Sequence, residues 1–401
     1  MWLNYLGANA QSLDSLLQKV VKNNPELRAL ELEYKAELAK SDQVNQLSNP
    51  VVGVGVPLGG PETRLGSQVL MVSASQMFPW FGTLQAKEDA VVAMSKAKYE
   101  RIAASKLNLF YDLKVAYYQL YTLGEKEKII KEYIEIYHSL ENVALARVES
   151  GQSTVADVLR IQLKLQSFEQ ELKIIDNSKN IFIARINKLT NQDFNTRIEP
   201  TDSLPEFAVM NFNLESYKEK IRANHPLLLQ INQEMEASKY KQTINDNMGK
   251  PSFGVGLDYS MVNERTDAFP TDNGKDFLIP KLKVSIPLYR KTYRAKNLEE
   301  NLRQSALEFE KENLTNKMIG LVIQNKTEYD NAYYEIMFNY QQIKTTEMAY
   351  NVLLTKYSST GKGFDDLLQM QNQLLKFRLN ILRAQLQSYL TRARIEQVTG
   401  Y

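Results

Sequence analysis

Apolar residues recur along this chain with two different periods. Beyond Gly151 they step three, four, three, four through Val158, Ile161, Leu165, Phe168, Leu172 and Ile175. At an offset of 209 the second half steps likewise through Leu367, Met370, Leu374, Phe377, Ile381 and Ala384. A 3.5-residue period is the seam of a coiled coil, narrower than the stripe of an ordinary globular helix. Elsewhere the period is two. Ser252–Met261 sets Phe253, Val255, Leu257, Tyr259 and Met261 against Gly254, Gly256, Asp258 and Ser260, which predicts a strand with one apolar face. Leu278–Ile286 sets Leu278, Leu282, Val284 and Ile286 against Ile279, Lys281, Lys283 and Ser285, and predicts the other arm of a hairpin. Val51–Val56 and Gln68–Met77 predict the matching hairpin of the first half, while Leu58–Ser67 and Asn263–Asp276 read as loops by composition.

Proline supports this division. The 12 prolines leave Trp80–Glu199 and Leu288–Tyr401 free of any, and good helix formers dominate both tracts. Each tract is expected to fold once, near Ser150-Gly151 and near Thr360-Gly361-Lys362-Gly363, giving four long helices. Unbroken from Gly82 to Glu149, the first would run about 100 Å at 1.5 Å per residue. The halves also match in order. Asn24-Pro25 answers His225-Pro226, Asn49-Pro50 answers Lys250-Pro251, Phe78-Pro79-Trp80-Phe81 answers Ile286-Pro287-Leu288-Tyr289, and Asp157-Val158-Leu159 answers Asp366-Leu367-Leu368. The chain therefore reads as a duplication: a first repeat at 11–191, a linker at 192–213 containing Pro200 and Pro205, and a second repeat at 214–401.

Charge and composition then remove function classes. A net charge of +2, from 49 basic and 47 acidic residues, gives no phosphate-tracking surface, so nucleic acid is not an expected partner. There are no cysteines and two histidines, which removes thiolate metal sites, cysteine nucleophiles and most histidine catalysis. His138 reads as solvent-facing, His225 as part of a helix cap, and the 12 methionines as core filling. Gly53-Val54-Gly55 lies in a strand pattern and lacks the third glycine and following helix of a dinucleotide site. No catalytic constellation, cofactor or metal is expected, and a carboxylate hydrolase lacks a paired acidic site. No stretch reads as a transmembrane helix. Ala8-Asn9-Ala10 has the small-x-small form that precedes export-signal cleavage and reads as the tail of such a signal.

Most of the predicted strands are about eight to eleven residues, close to what a tilted barrel strand needs to cross a bilayer. Four strands cannot close a barrel, since the smallest have about eight, so several chains must pool theirs. A small soluble sheet capping a helical rod is the alternative that strand patterning leaves open.

Asn-Pro-Glu-Leu at 24–27, Asn49-Pro50 before the first strand, Phe-Pro-Trp-Phe-Gly at 78–82 and Gly-x5-Asp-Val-Leu at 151–159 resemble, in that order, the TolC family of outer-membrane efflux proteins. Within the family, Asn-Pro-Glu-Leu and the segment around Arg394-Ile395 are most similar to the CusC and CzcC type that serves heavy-metal pumps, with the drug-exporting branch open. The resemblance implies a mainly α fold with a β-barrel portion. Duplicated antiparallel helical hairpins would form a tunnel, and four transmembrane strands per chain would give a homotrimer its 12-strand barrel. It implies a passive exit duct in the outer membrane of a Gram-negative bacterium, with a long periplasmic portion. A periplasmic adaptor and an inner-membrane resistance-nodulation-division pump would be its partners, with outer-membrane lipid around the barrel. A soluble coiled-coil adaptor or scaffold is the runner-up.

At the tips the resemblance places Asp366 in the pore constriction. Gln369 stands where the family has a second aspartate, and Asp365 adds a neighbouring carboxylate. Three copies of one aspartate around an axis make a cation-binding ring. The local alternative is a helix N-cap, because negative charge favours the start of a helix. Asp157, Tyr357 and Lys362 match positions that link neighbouring helix pairs and hold the pore shut. Lys362 replaces an arginine, which exchanges a bidentate fork for a point charge and implies a looser latch.

Overall fold

The structure, a computed structural model, describes residues 12–59, 61–201, 207 and 209–400. The Ala8-Asn9-Ala10 pattern lies outside the described residues, as do Pro205 and its neighbours in the 192–213 segment. The first half runs α1 (Leu13–Asn23), α2 (Pro25–Leu38), α3 (Ser41–Val44), β1 (Val51–Gly55), β2 (Glu62–Thr63), β3 (Gly66–Phe78), α4 (Thr83–Glu149) and α5 (Val155–Thr190). The second runs α6 (Leu214–Asn224), α7 (Pro226–Met248), β4 (Ser252–Val262), β5 (Phe277–Ser285), α8 (Arg290–Thr360) and α9 (Phe364–Thr399). The fourfold division into long helices is as expected, with α4 and α8 unbroken over 67 and 71 residues.

Two compact units form, and each draws on both halves. One combines Met1–Ala29, Ile102–Pro226 and Leu314–Tyr401; the other combines Leu30–Arg101 and Leu227–Asn313. In the first unit the heptad seams are the core. Val158, Ile161, Leu165, Phe168 and Ile175 of α5 are buried against Ile130, Tyr133 and Tyr137 of α4 and against Leu367 and Leu374 of α9. Tyr137 meets Phe168 edge-on at 5.3 Å, and its hydroxyl donates to Asn372 Oδ1 at 3.3 Å, so a ring that packs like a hydrocarbon keeps a polar partner. A second core gathers Leu16 and Val20 of α1 with Leu113, Tyr117 and Ile186.

The helix breaks at Asn24-Pro25 and His225-Pro226 follow from proline, which cannot donate to the preceding turn. Asn24 caps α2: its Oδ1 accepts from the Glu26 amide at 2.9 Å, while its Nδ2 donates to the carbonyl of Leu189 at 2.9 Å. His225 holds the corresponding position before α7 and is likewise buried.

The second unit contains the sheet. Its path is β1-β3-β4-β5, all antiparallel, with β2 paired to the start of β3. The pairing of β3 with β4, with Ser73 opposite Asp258, joins the hairpins of the two halves into one sheet. The expected loop 58–67 differs in containing β2, and β3 begins earlier than its alternation does. The reason is the turn at Gly66, where φ is +131° and an added Cβ would lie 1.7 Å from the Asn263 carbonyl oxygen. Only glycine allows that approach, which the Asn263 amide completes by donating to the Ser67 carbonyl at 2.9 Å.

Burial lowers the pKa of His225 from 6.5 to about 4, so the fold favours the neutral ring. The unfolded chain takes up a proton on this residue from about pH 6.5 downward. Its contribution is therefore full above that pH and is lost as pH falls through about 4, at a cost of roughly 3 kcal/mol at most. His225→Asn, which copies the cap of the first half, is expected to reduce the loss of stability between pH 7 and pH 4.5, as read from urea midpoints at both.

Candidate functional site

Two surfaces carry the chemistry, one in each unit. On the sheet, cross-strand partners share a face. Gly53, Ser73 and Asp258 are in register on one face, and Gly254 and Gly256 on that face stand opposite Lys283 and Lys281. The glycines admit the neighbouring strand β3: a Cβ at Gly254 would strike Met77 Sδ and lie 3.0 Å from the Gln76 carbonyl oxygen, and one at Gly256 would lie 3.2 Å from the Ala74 carbonyl oxygen. Asp258 is only 4% exposed, and the ammonium of Lys281 pairs with its carboxylate, as a shielded charge requires. Lys283 donates to Ser75 Oγ at 2.8 Å.

The other face is apolar and open. Val52, Val54, Phe253, Val255, Leu257, Tyr259, Met261, Leu278, Leu282 and Val284 are all exposed in the single chain. A continuous exposed apolar face marks a surface that meets something other than water. Among the described residues, strands β1 and β5 each pair on one side only, which leaves two open edges. Among the described residues, no helix is long and apolar enough to cross a membrane.

In the helical unit, both reversals are glycine turns. Gly151 and Gly361 have φ of +73° and +71°, and their amides donate to Val148 and Tyr357 carbonyls at 3.0 and 2.9 Å. Asp366 and Gln369 are exposed in the first two turns of α9, as is Lys362 in the turn before it. Asp365 is also exposed and accepts from Arg160 Nη1 at 2.6 Å. The same guanidinium reaches Asp157 at 3.2 Å, and Asp157 accepts from Ser153 Oγ at 2.7 Å. Two of the expected residues, Asp157 and Asp365, are thus joined by Arg160, a residue sequence reasoning passed over.

Tyr357 is placed differently from its companions. It is 1% exposed, with Phe364 at 5.2 Å between ring centroids and the guanidinium of Arg147 4.8 Å above its ring. The expected residues therefore fall into an exposed set, Lys362, Asp365, Asp366 and Gln369, and a set held within the chain, Asp157 and Tyr357. Among the described residues, no group of three or more His, Asp or Glu side chains is arranged to hold a metal ion.

The comparisons with known proteins agree with this arrangement. Residues 16–192 match the family model described as outer membrane efflux protein. The outer-membrane channel OprN has the same fold, with a TM-score of 0.76 at 16% identity over 97% of this chain and 89% of that one. The outer membrane protein VceC of Vibrio cholerae gives 0.74 at 14% identity over 97% and 96%. CusC gives 0.76 at 13% identity over 96% and 91%. No curated protein matches the chain. At these identities the solved structures show the fold, and the family model supplies the sequence link over the first half. The resemblance to TolC-family channels is borne out by the two together. The family matched over residues 16–192 is one of outer membrane efflux proteins.

With no native cysteine, single cysteines report the two faces of the sheet directly. In membranes, Leu257→Cys and Leu282→Cys are expected to resist a charged, membrane-impermeant maleimide, while Ser73→Cys and Lys283→Cys react with it. Equal labelling of both sets would contradict a lipid-facing apolar surface.

Proposed function

We propose that this chain is the outer-membrane exit duct of a tripartite efflux system, working as a homotrimer. The observation that carries the reading is the sheet. It has one exposed apolar face, one face lined by glycine, serine and ion-paired groups, and two open edges. In hydrocarbon every backbone N–H and C=O must be paired within protein, so an open-edged four-stranded sheet is stable there only when closed by copies of itself. β5 of one chain would pair with β1 of the next, three times round, to give 12 strands with apolar residues toward lipid and water inside.

The repeats 11–191 and 214–401, joined through 192–213, would each supply one strand hairpin and one long helical pair. The helices would extend into the periplasm as a tunnel whose tips meet a periplasmic adaptor. An inner-membrane resistance-nodulation-division pump would supply the energy, and conduction through the duct itself would be passive. At the tip the exposed Asp366, with Asp365 beside it and Gln369 one turn on, would form the ring at the constriction. Lys362, exposed and without an ion pair among the described residues, would reach across to a neighbouring chain.

The test is conductance of purified protein in planar bilayers. Lys362→Ala is expected to raise basal conductance, and Asp366→Asn to shift the reversal potential away from cation preference. Channels whose conductance and reversal potential ignore both changes would place latch and ring elsewhere.

A further inference from the structure

The two tips of one chain are tied together by a contact between residues that stand equally far before their tip glycines. Arg147 stands four residues before Gly151, and Tyr357 stands four residues before Gly361. The Arg147 guanidinium lies over the Tyr357 ring, 4.8 Å from its centroid. The guanidinium does more than stack. Its Nη2 donates to the Ser358 carbonyl at 2.6 Å. That carbonyl lies in the last turn of α8, where backbone oxygens have no partner further along the helix. A cation there also meets the negative end of the helix dipole.

The neighbouring turns are shaped around this side chain. A Cβ on Gly361 would come within 2.9 Å of Arg147 Nη1 and 3.0 Å of the Gln152 carbonyl oxygen, so glycine is what lets the second tip close on the first. The backbones of both residues also close their own tips: the Arg147 carbonyl accepts from Gln152 at 2.8 Å and the Tyr357 carbonyl from Gly361 at 2.9 Å. Phe364, whose ring centroid lies 5.2 Å from that of Tyr357, carries the contact into α9. The Tyr357 hydroxyl, by contrast, is buried with no hydrogen-bond partner among the described residues, so it is the ring and not the hydroxyl that the structure uses.

We infer that Arg147 is a positioning residue that clasps the two helical tips of each chain into one rigid piece, and that the closed state of the pore depends on this clasp. The gating half of the inference rests on the channel reading above. The geometric half does not. Opening the tips would require the Arg147 guanidinium to leave both the Tyr357 ring and the Ser358 carbonyl.

The variants separate this from a latch made by the tyrosine hydroxyl. Arg147→Ala and Tyr357→Leu each remove the contact by a different route, so failure of one to assemble leaves the other. Both are expected to raise the open fraction in bilayers about fivefold, as loss of a contact of the cation–π class would. Tyr357→Phe, which keeps the ring, should raise the open fraction less than Tyr357→Leu does, and Arg147→Lys, which keeps a cation but not the fork, less than Arg147→Ala does. Hydrogen exchange in detergent is the readout that does not need a channel: amides of 150–154 and 358–363 should exchange faster in Arg147→Ala and Tyr357→Leu than in Tyr357→Phe. If Tyr357→Phe opens the pore while Arg147→Ala leaves it shut, the clasp is overturned in favour of the hydroxyl. If exchange changes as expected but conductance does not, the clasp stands and its link to gating falls. An unmodified protein that forms no channels would overturn the channel reading alone, with the exchange result still deciding the clasp.

Discussion

A strand edge with unpaired N–H and C=O groups has no stable place in hydrocarbon, and that constraint governs how this chain can work. Its four main strands form one antiparallel sheet whose outer members, β1 and β5, each have a free side. The apolar face is already made: Val255, Leu257 and Leu282 stand exposed where a soluble protein would bury or replace them. A chain built this way cannot satisfy its backbone in a membrane alone. The proposal that copies of the chain close the sheet rests on that requirement.

The helical unit answers to a different term, the burial of a narrow seam. Ile161, Phe168 and Leu367 are almost fully buried, each contributing roughly 1.5–3 kcal/mol of transfer free energy at an upper estimate. A seam of this width leaves much of each helix surface uncommitted. Leu159 and Leu163 on α5 and Met337 and Phe338 on α8 stay exposed in the single chain. The tips are where such packing ends, so they depend on specific contacts instead: glycine turns, the Arg160 bridge between Asp157 and Asp365, and the stacking of Arg147 on Tyr357.

Much of the fold was legible because period and proline placement are local signals. The seam at 158–175 and the alternation at 252–261 needed no knowledge of partners, and the structure buries and exposes those residues accordingly. What could not be read is what depends on contacts distant in sequence. The pairing of β3 with β4 leaves no trace in either strand's own pattern, and β2 exists only because the turn at Gly66 brings Glu62 and Thr63 back onto β3. At the tip, exposure of Asp366 and Lys362 fits residues placed there by resemblance, but the burial of Tyr357 does not follow from its motif. Its partner Arg147 left no signal in the duplicated pattern, and only the structure shows the two meeting.

The account stands or falls on closure of the sheet by copies of the chain. The native mass of the detergent-extracted complex tests it most directly. About three times the 46.1 kDa chain mass, with assembly lost when a proline in β1 or β5 blocks edge pairing, is the expected result. A monomer or dimer that stays in solution without detergent would contradict it.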